Sequence, residues 1–416
     1  MRSSLRAGAC ALAVVVLPIA GQAEADPCSL GIHRANVAAC ALRWSPTLQA
    51  ELATRDAAVG RREAARPFLP ANPVVSGSIA SRRADIARDT NWAVSIGQQI
   101  EVGGQRGLRI AAAERELAAR GHQVLAARMQ VTSEAFRGYF VVLGMRERVD
   151  LARRLEAATN DVAGTVRAMA AGGVASEVDA DIADAAAIGV TQERLRLEAA
   201  LEAARAELAI HVGGFVNAVD GELEPIKGVE APEIVPVRPE LLALDEEHTA
   251  LESRVSLLGR ERVPNPTLSL TAQDDGFNER VLGIGVSLPI PLPQPIGRTL
   301  AGEISEMTAL ADRSRAERQR LELELRAEAN AATADLTAAR QARALHPPER
   351  TARVEARLAS ITTEVKAGRL AVRDALIAQQ ALVSQLKSAI DAREWLCVAS
   401  VRLARAVGIS LEGDDR

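Results

Sequence analysis

Residues 91–102 read Asn-Trp-Ala-Val-Ser-Ile-Gly-Gln-Gln-Ile-Glu-Val, and residues 280–291 read Arg-Val-Leu-Gly-Ile-Gly-Val-Ser-Leu-Pro-Ile-Pro. In the first, Trp92, Val94, Ile96, Ile100 and Val102 fall on alternate positions, with Gln98 as the one break. In the second, Leu282, Ile284, Val286, Leu288 and Ile290 alternate with Val281, Gly283, Gly285, Ser287 and Pro289. Leu268, Leu270 and Ala272 alternate in the same way with Thr267, Ser269, Thr271 and Gln273. A period of two gives a strand one greasy and one wet face. Segments of about ten residues match a tilted strand crossing a bilayer. The pattern predicts that Trp92, Val94, Ile96, Leu268, Leu270, Ile284, Val286 and Leu288 face lipid. Ser95, Gly97, Ser269, Thr271, Gly283, Gly285 and Ser287 are expected on the opposite, lumenal face.

The rest of the chain reads as helix. Its 416 residues are rich in Ala, Leu, Glu and Arg, with 2% aromatics, the composition of long helices. A formal net charge of -4 leaves no basic footprint for nucleic acid. Residues 1–25 read as a signal peptide: Arg2 and Arg6 precede an apolar run, Ala7–Ala20, and small residues follow at Gly21-Gln22-Ala23 and Ala23-Glu24-Ala25. That run is too short for a membrane-spanning helix. Cys10 lies within it. Cys28 and Cys40 stand near the expected mature N-terminus, as a disulfide in an oxidising compartment or as two free thiols on a helix. Cys397 lies in an apolar helical stretch and is expected to be packed.

An internal repeat organises the chain. Residues 173–213 align without a gap on 368–408, at an offset of 195. Gly173, Asp179 and Gly213 meet Gly368, Asp374 and Gly408. Pro70-Ala71-Asn72-Pro73 and Pro264-Asn265-Pro266 each open a strand. The first repeat, 26–213, is read as helix, strands at about 72–83 and 91–102, and a long helical hairpin with its tip near 171–176. The second, 240–408, carries strands at about 265–274 and 280–291 and a hairpin tip near 367–372. Residues 214–239 form a proline-rich linker or equatorial segment, and 409–416 a C-terminal tail. A helix over Gly107–Ala170 would be roughly 95 Å long and needs partners along its length. The matching helix of the second half should break or kink at Pro347-Pro348. Four strands cannot close a barrel, but several copies of the chain can.

Those stretches, with "NPVVSGSI", "VSIGQQIEVGGQRGLRIAAAE", "AGGVASEVDADIADA", "VLGIGVSLPIPLPQPIGR" and "AGRLAVRDALIAQQALV", resemble the TolC-type outer membrane efflux proteins over nearly the whole mature length. Heavy-metal-type members carry a similar strand end, matched here by Gln99, Glu101, Gly103, Gly104 and Arg106. The resemblance implies an α+β membrane protein: a homotrimer with a twelve-stranded transmembrane barrel, four strands from each protomer, continued by a long periplasmic α-helical coiled-coil tunnel. It implies residence in the outer membrane of a Gram-negative bacterium, with lipid around the barrel. It further implies a periplasmic adaptor protein at the helix tips and an inner-membrane pump, the RND type favoured. The expected adaptor contacts are Gly173, Val174, Ala175, Ser176, Gly368, Arg369 and Leu370, with Val174 and Leu370 as apolar anchors.

Asp179 and Asp374 follow their glycines by six residues and are candidates for a carboxylate ring at the periplasmic entrance, joined by Asp181 and Asp184. Ile377 and Arg373 depart from that pattern, and Asp at a helix start also favours the helix dipole. Ser176 and Asp179 have capping-box spacing. No catalytic constellation, cofactor motif or metal-ligand spacing emerges; His33, His122, His211, His248 and His346 are scattered. Gly103-Gly104 with Arg106 lacks a phosphate-loop pattern and reads as a strand-to-helix joint. The function expected is an efflux channel for small molecules or metal ions, with a type I protein secretion duct as the alternative. A poreless periplasmic scaffold is the alternative of another class.

Overall fold

The computed structural model describes Cys28 and residues 31–83, 88–214, 216, 218–230, 237–274, 279–292, 295–297 and 299–412. The expected signal peptide lies outside these residues. The order of elements is β1 (Ile32–His33), α1 (Val37–Trp44), α2 (Pro46–Ala65), β2 (Val74–Arg83), β3 (Arg88–Gln99), α3 (Gln105–Ala171) and α4 (Glu177–Val212). β4 (Val219–Asp220), α5 (Pro239–Glu261), β5 (Thr267–Asp274), β6 (Arg280–Ser287), α6 (Ala301–Ala344), α7 (Pro348–Lys366) and α8 (Val372–Ala406) follow.

The strands lie close to the expected segments, but β3 is shifted by three residues at both ends, starting at Arg88, and β6 is shorter. β3 ends at Gln99 rather than at Val102, where the Ile100 N–H leaves the ladder and donates to the Pro266 carbonyl at 2.9 Å. β6 ends at Ser287 rather than at 291, because Pro289 and Pro291 have no N–H to offer a ladder. The sheet order is β2-β3-β5-β6, all antiparallel, so the two halves meet along β3 and β5.

α3 is one unbroken helix of 67 residues, about 100 Å long. It packs against α2 and α5 towards the sheet and against α4, α7 and α8 elsewhere. Its midpoint carries the main aromatic cluster. Phe136, Tyr139 and Phe140 are fully buried, with ring centroids 5.3 Å apart for Tyr139 and Phe140. Leu143 and Leu208 close over them. The second half has no such continuous helix: α6 stops at Ala344, and α7 begins with Pro348 at its first position. Proline at that position costs no hydrogen bond, whereas in a helix interior it removes one. α7 buries Val354, Leu358, Ile361 and Val365, a stripe at i, i+4, i+7 and i+11 that faces α8.

The expected linker is not a loose tether in its described part. β4 pairs in parallel with β1, Ile32 opposite Val219. The Tyr139 hydroxyl donates to the Asp220 carbonyl at 2.9 Å, and Arg146 donates to the carbonyls of Val219 and Gly221 at 2.6 and 2.7 Å. Leu223, Ile226 and Val229 are buried, and the Ile226 N–H donates to Ser400 Oγ at 3.0 Å. The described tail is held too: Leu411 is buried, and Arg128 grips the Glu412 carboxylate at 2.6 and 2.9 Å. This belt of buried apolar residues and occupied carbonyls crosses the helices near mid-length.

Both ends of the repeat's returning helices close on left-handed glycines, Gly213 at φ 84° and Gly408 at φ 79°. A methyl group on Gly213 would also lie 2.0 Å from Trp44 Cβ. Gly213→Ala should therefore lose at least about 2 kcal/mol from left-handed strain and the clash together. Gly60, exposed in the middle of α2 with nothing within 4 Å of a built Cβ, should gain about 0.5–1 kcal/mol as Ala. Thermal unfolding of the two variants beside the parent checks the opposite signs.

Candidate functional site: the sheet face and the helix tips

The register arranges the sheet's side chains in rows. On one face Ile79, Trp92, Asp274 and Arg280 form a row across the four strands; Gly77, Val94, Ala272 and Leu282 form the next. Val75, Ile96, Leu270 and Ile284 follow, and then Gln98, Leu268 and Val286. Gln98, the break in the sequence pattern, sits on this face at its helix-proximal end, where its amide donates to the Ala71 and Gln99 carbonyls at 3.0 and 2.8 Å. Among the described residues nothing covers the face: Ile79, Leu282 and Ile284 are each more than 80% exposed. All eight residues assigned to lipid are exposed hydrophobics. Val75, Ile79 and Leu282 extend the same surface. Their alternation was readable in "VVSGSI" and "RVLGI", but the adjacent Val74 and Val281 obscured which face they take.

The opposite face is uncharged over the rows nearest the helices. Its rows are Ser78, Ala93, Gln273 and Val281; Ser76, Ser95, Thr271 and Gly283; and Val74, Gly97, Ser269 and Gly285. Ser76 and Ser95 share a hydroxyl hydrogen bond of 2.7 Å, and Ser269 Oγ donates to the Gly285 carbonyl at 3.3 Å. A Cβ on Gly285 would sit 2.6 Å from that hydroxyl. Glycine at this position therefore keeps the face flat.

The joint below the sheet is polar and tightly bonded. Gln105, buried, accepts from the Gly103 N–H at 2.9 Å and donates to Asn265 Oδ1 at 3.0 Å. Arg109 pairs with Glu101 at 2.5 Å, and Arg106 donates twice to the Arg66 carbonyl. Gly103, Gly104 and Arg106 thus serve the strand-to-helix joint.

The two hairpin tips are built alike. The Gly173 N–H donates to Ala170 O and the Val174 N–H to Met169 O, at 2.9 and 2.8 Å. The Gly368 and Arg369 N–H groups repeat this to Val365 O and Glu364 O, both at 3.0 Å. Gly173 and Gly368 adopt φ 75° and 67°, the left-handed turn that closes a helix. The pairing of side chains differs from the sequence expectation. Val174 stands where Arg369 stands in the repeat, and Leu370 stands where Ala175 does. Val174 is 74% exposed, whereas Leu370 is half-buried against the helical core, as is Ala175. Leu370 is therefore corrected from an exposed anchor to a packed residue. Arg369 lies outside, its guanidinium on the Glu364 carboxylate at 2.6 and 2.9 Å. That hydrogen bond holds the Glu364 carboxyl below the usual carboxylate range.

The paired aspartates have different surroundings. Asp179 completes a capping box: its N–H donates to Ser176 Oγ at 3.0 Å, and its carboxylate accepts from the Ser176 hydroxyl and N–H at 2.7 and 3.4 Å. Asp374 has no counterpart, because Ala371 holds the N-cap position and cannot cap through its side chain. Asp184 pairs with Arg167 across the first hairpin at 2.5 Å.

Cys28 and Cys40 are joined in a disulfide across a separation of 12 residues. Cys397 is a buried free thiol whose pKa is pushed up to about 12 by burial.

No family model matches the chain. A curated relative, the cobalt-zinc-cadmium resistance protein CzcC of Cupriavidus metallidurans, is 32% identical over 203 residues, covering 46% of this chain and 48% of CzcC. The matched region therefore spans about half the length of that relative. Among solved structures, CusC superposes with a TM-score of 0.75 at 14% identity, over 90% of this chain and 92% of that one. The CmeC outer membrane channel of Campylobacter jejuni gives 0.74 at 15% identity, over 90% and 85%. The MtrE outer membrane channel of Neisseria gonorrhoeae, in its open state, gives 0.70 at 16% identity, over 92% and 90%.

Two outcomes follow from the geometry. Ser176→Ala should cost about 1 kcal/mol of helix stability and speed amide exchange over 177–181, while Ala371→Ser should slow it over 372–375. In the folded protein Cys397 should resist alkylation at pH 8, and it should react once denaturant is added. Rapid labelling of the native chain would contradict its placement. The sheet, the two hairpins and the belt between them together have the fold of the TolC-type outer membrane channels.

Proposed function

We propose that this chain is the outer membrane channel component of a tripartite efflux system, exporting small molecules or metal ions. The observation that carries the reading is the sheet: one face predominantly apolar between Gln98 and the Asp274–Arg280 row, the other lined by hydroxyls and glycines, and both edge strands unpaired among the described residues. An open edge carries unpaired N–H and C=O groups that hydrocarbon does not satisfy. Joining β6 of one copy to β2 of the next removes every edge. Three copies supply twelve strands, enough for a water-filled lumen. The apolar rows then meet lipid, and the Ser76, Ser95, Thr271 and Gly283 row lines the pore.

The helices extend from the other end of the sheet and would cross the periplasm, with the tips as the surface for a periplasmic adaptor. Val174 and Arg369 are exposed there, as are Gly173, Ser176 and Gly368, while Ala175 and Leu370 are half-buried beneath the turns. An inner-membrane pump, the RND type favoured, would complete the assembly. The similarity to CzcC, a cobalt-zinc-cadmium resistance protein, supports metal ions among the substrates. Asp374, which takes no part in a capping box, is the better candidate of the two aspartates for a charge at the entrance. The chain acts as a duct and carries no proposed catalytic step.

Substitution on the two sheet faces tests the proposal. Ile284→Arg should cost about 2–4 kcal/mol if it lies near the midplane and reduce assembled trimer in outer membranes. Thr271→Arg, one residue away on the partner strand and on the other face, should leave assembly intact and lower single-channel conductance. Equal loss of assembly from both variants would refute the assignment of faces. Val174→Glu should abolish export and spare assembly; full export by that variant would remove the tip from the mechanism.

A further inference from the structure

The passage from β6 to α6 differs from its counterpart in the first repeat. Residues 100–104 join β3 to α3 closely, and Gln105 fills that joint with hydrogen bonds. Residues 288–300 take a longer path from β6 to α6. Their described members bend around a cavity of about 590 Å³. Its apolar wall is formed by Pro264, Pro289, Ile290, Pro291, Leu292 and Leu300. Gly297 closes the bend against Leu292, where a Cβ would lie 2.6 Å from the leucine Cβ. Glu261 and Arg262, at the end of α5, are the charged residues of the lining. The Arg262 Nε–H donates to the Thr299 carbonyl at 3.0 Å. Its other nitrogens and the Glu261 carboxylate have no partner among the described residues, and both residues are exposed.

Leu300 gives the clearest sign that the cavity is kept for an occupant. It holds the N-cap of α6 at φ 57°, the one non-glycine in the left-handed region among the described residues. Gly104 holds the same place before α3, at φ 75°. A leucine there bears backbone strain that glycine would avoid, and its side chain lines the cavity. Strain of this kind collects at ligand clamps.

Resting on the channel reading above, we infer that this cavity holds an acyl chain of a zwitterionic phospholipid, with its phosphate on Arg262 and its primary ammonium on Glu261. Ligand pockets span about 300–1,000 Å³ and combine apolar walls with a few polar groups; this cavity has both properties. It lies at the helix-proximal end of β6, where Leu288 and Ile290 extend the alternation of Leu282, Ile284 and Val286. In the channel reading that is the periplasmic margin of the apolar face. Ile290 and Ile296 are 78% and 80% exposed there. Pro289, Pro291 and Pro295 have no N–H, so this backbone outside the ladder brings fewer unsatisfied donors to hydrocarbon. A guanidinium fork suits a phosphate. A carboxylate beside it suits a head group that carries both signs.

The test uses the assembled full-length protein in phosphatidylcholine nanodiscs containing a small fraction of a lipid with a photoreactive acyl chain. As phosphatidylethanolamine, the probe should label the peptide spanning 288–300 well above the peptides of the sheet face. As phosphatidylcholine, whose quaternary ammonium has no N–H for Glu261, it should label both alike. Arg262→Gln should lower phosphatidylethanolamine labelling of 288–300 about ten-fold, the factor for one hydrogen bond to a charged group. Arg262→Lys should keep most of it. Leu300→Gly relieves the backbone but removes part of the wall; it should keep trimer assembly and lose the label to the same degree. Equal labelling of 288–300 by the two probes, or by parent and both loss variants, would overturn the proposal while leaving the channel reading intact. Displacement of the probe by soluble phosphoethanolamine would mean a solute site and overturn it too. Failure of the parent to enter the nanodiscs or to conduct there would instead overturn the channel reading itself.

Discussion

The open edges of a four-stranded sheet constrain this molecule more than any other feature. Among the described residues β2 and β6 each present a ladder with no partner, beside an apolar face that none of them covers. In water such a sheet invites indiscriminate pairing, which soluble proteins avoid with short strands, bulges or charges along the edge. Here the edge strand β2 runs ten residues without proline, and its charges are confined to the hairpin end. An edge kept in pairing condition is one meant to be paired.

The helices have little apolar bulk to work with. Ala supplies much of the seam, and large side chains cluster at one level, around Phe136, Tyr139, Phe140, Leu143 and Leu208. Polar contacts fix what packing leaves loose. Gln379 donates to Thr159 Oγ1 at 2.7 Å inside the α3–α8 contact. Arg148 reaches Asp391 and Glu394 at 2.6 Å each, and Arg393 holds Glu147 at 2.9 and 3.0 Å. Burial pushes the Glu394 carboxyl up while Arg148 pulls against it. Such a pair adds little net stability once desolvation is counted; its geometry instead fixes the helices' axial register. A methyl at Gly144 would lie 1.9 Å from the Glu394 carboxylate, so the glycine makes room for that contact.

Much of this was readable from the chain alone, for physical reasons that can be named. A strand with one apolar and one polar face keeps a strict period of two, so Trp92, Val94, Ile96, Leu268, Leu270, Ile284, Val286 and Leu288 announced a common apolar face. Gly173 and Gly368 marked turns because the left-handed conformation there favours glycine, and Ser176 with Asp179 marked a cap by spacing. The belt was not readable. Tyr139, Arg146, Arg34 and Arg340 hold it through backbone carbonyls of 219–229, and a carbonyl leaves no mark in the sequence. Leu370 misled because a leucine beside a turn glycine looks exposed in sequence, while the repeat offset places it opposite Ala175, on the inward side.

The two halves have diverged in stiffness, although their turns remain superimposable in hydrogen bonding. In the first, α3 runs unbroken to the tip and α4 starts on a complete capping box. In the second, the outgoing helix stops before Pro347, restarts as the short α7, and α8 begins at an uncapped Ala371. A missing cap is worth about 1 kcal/mol, and a 19-residue helix held mainly along one stripe opens more easily than a turn within a 67-residue one. The tip beyond Pro347 is thus the more compliant of the two, while the first hairpin keeps its place through Arg167 and Asp184. Duplication supplied two equivalent tips. A proline pair, and Ala371 at the N-cap where the first repeat has Ser176, distinguish a softer strut from a fixed one, while the turn hydrogen bonds are the same in both.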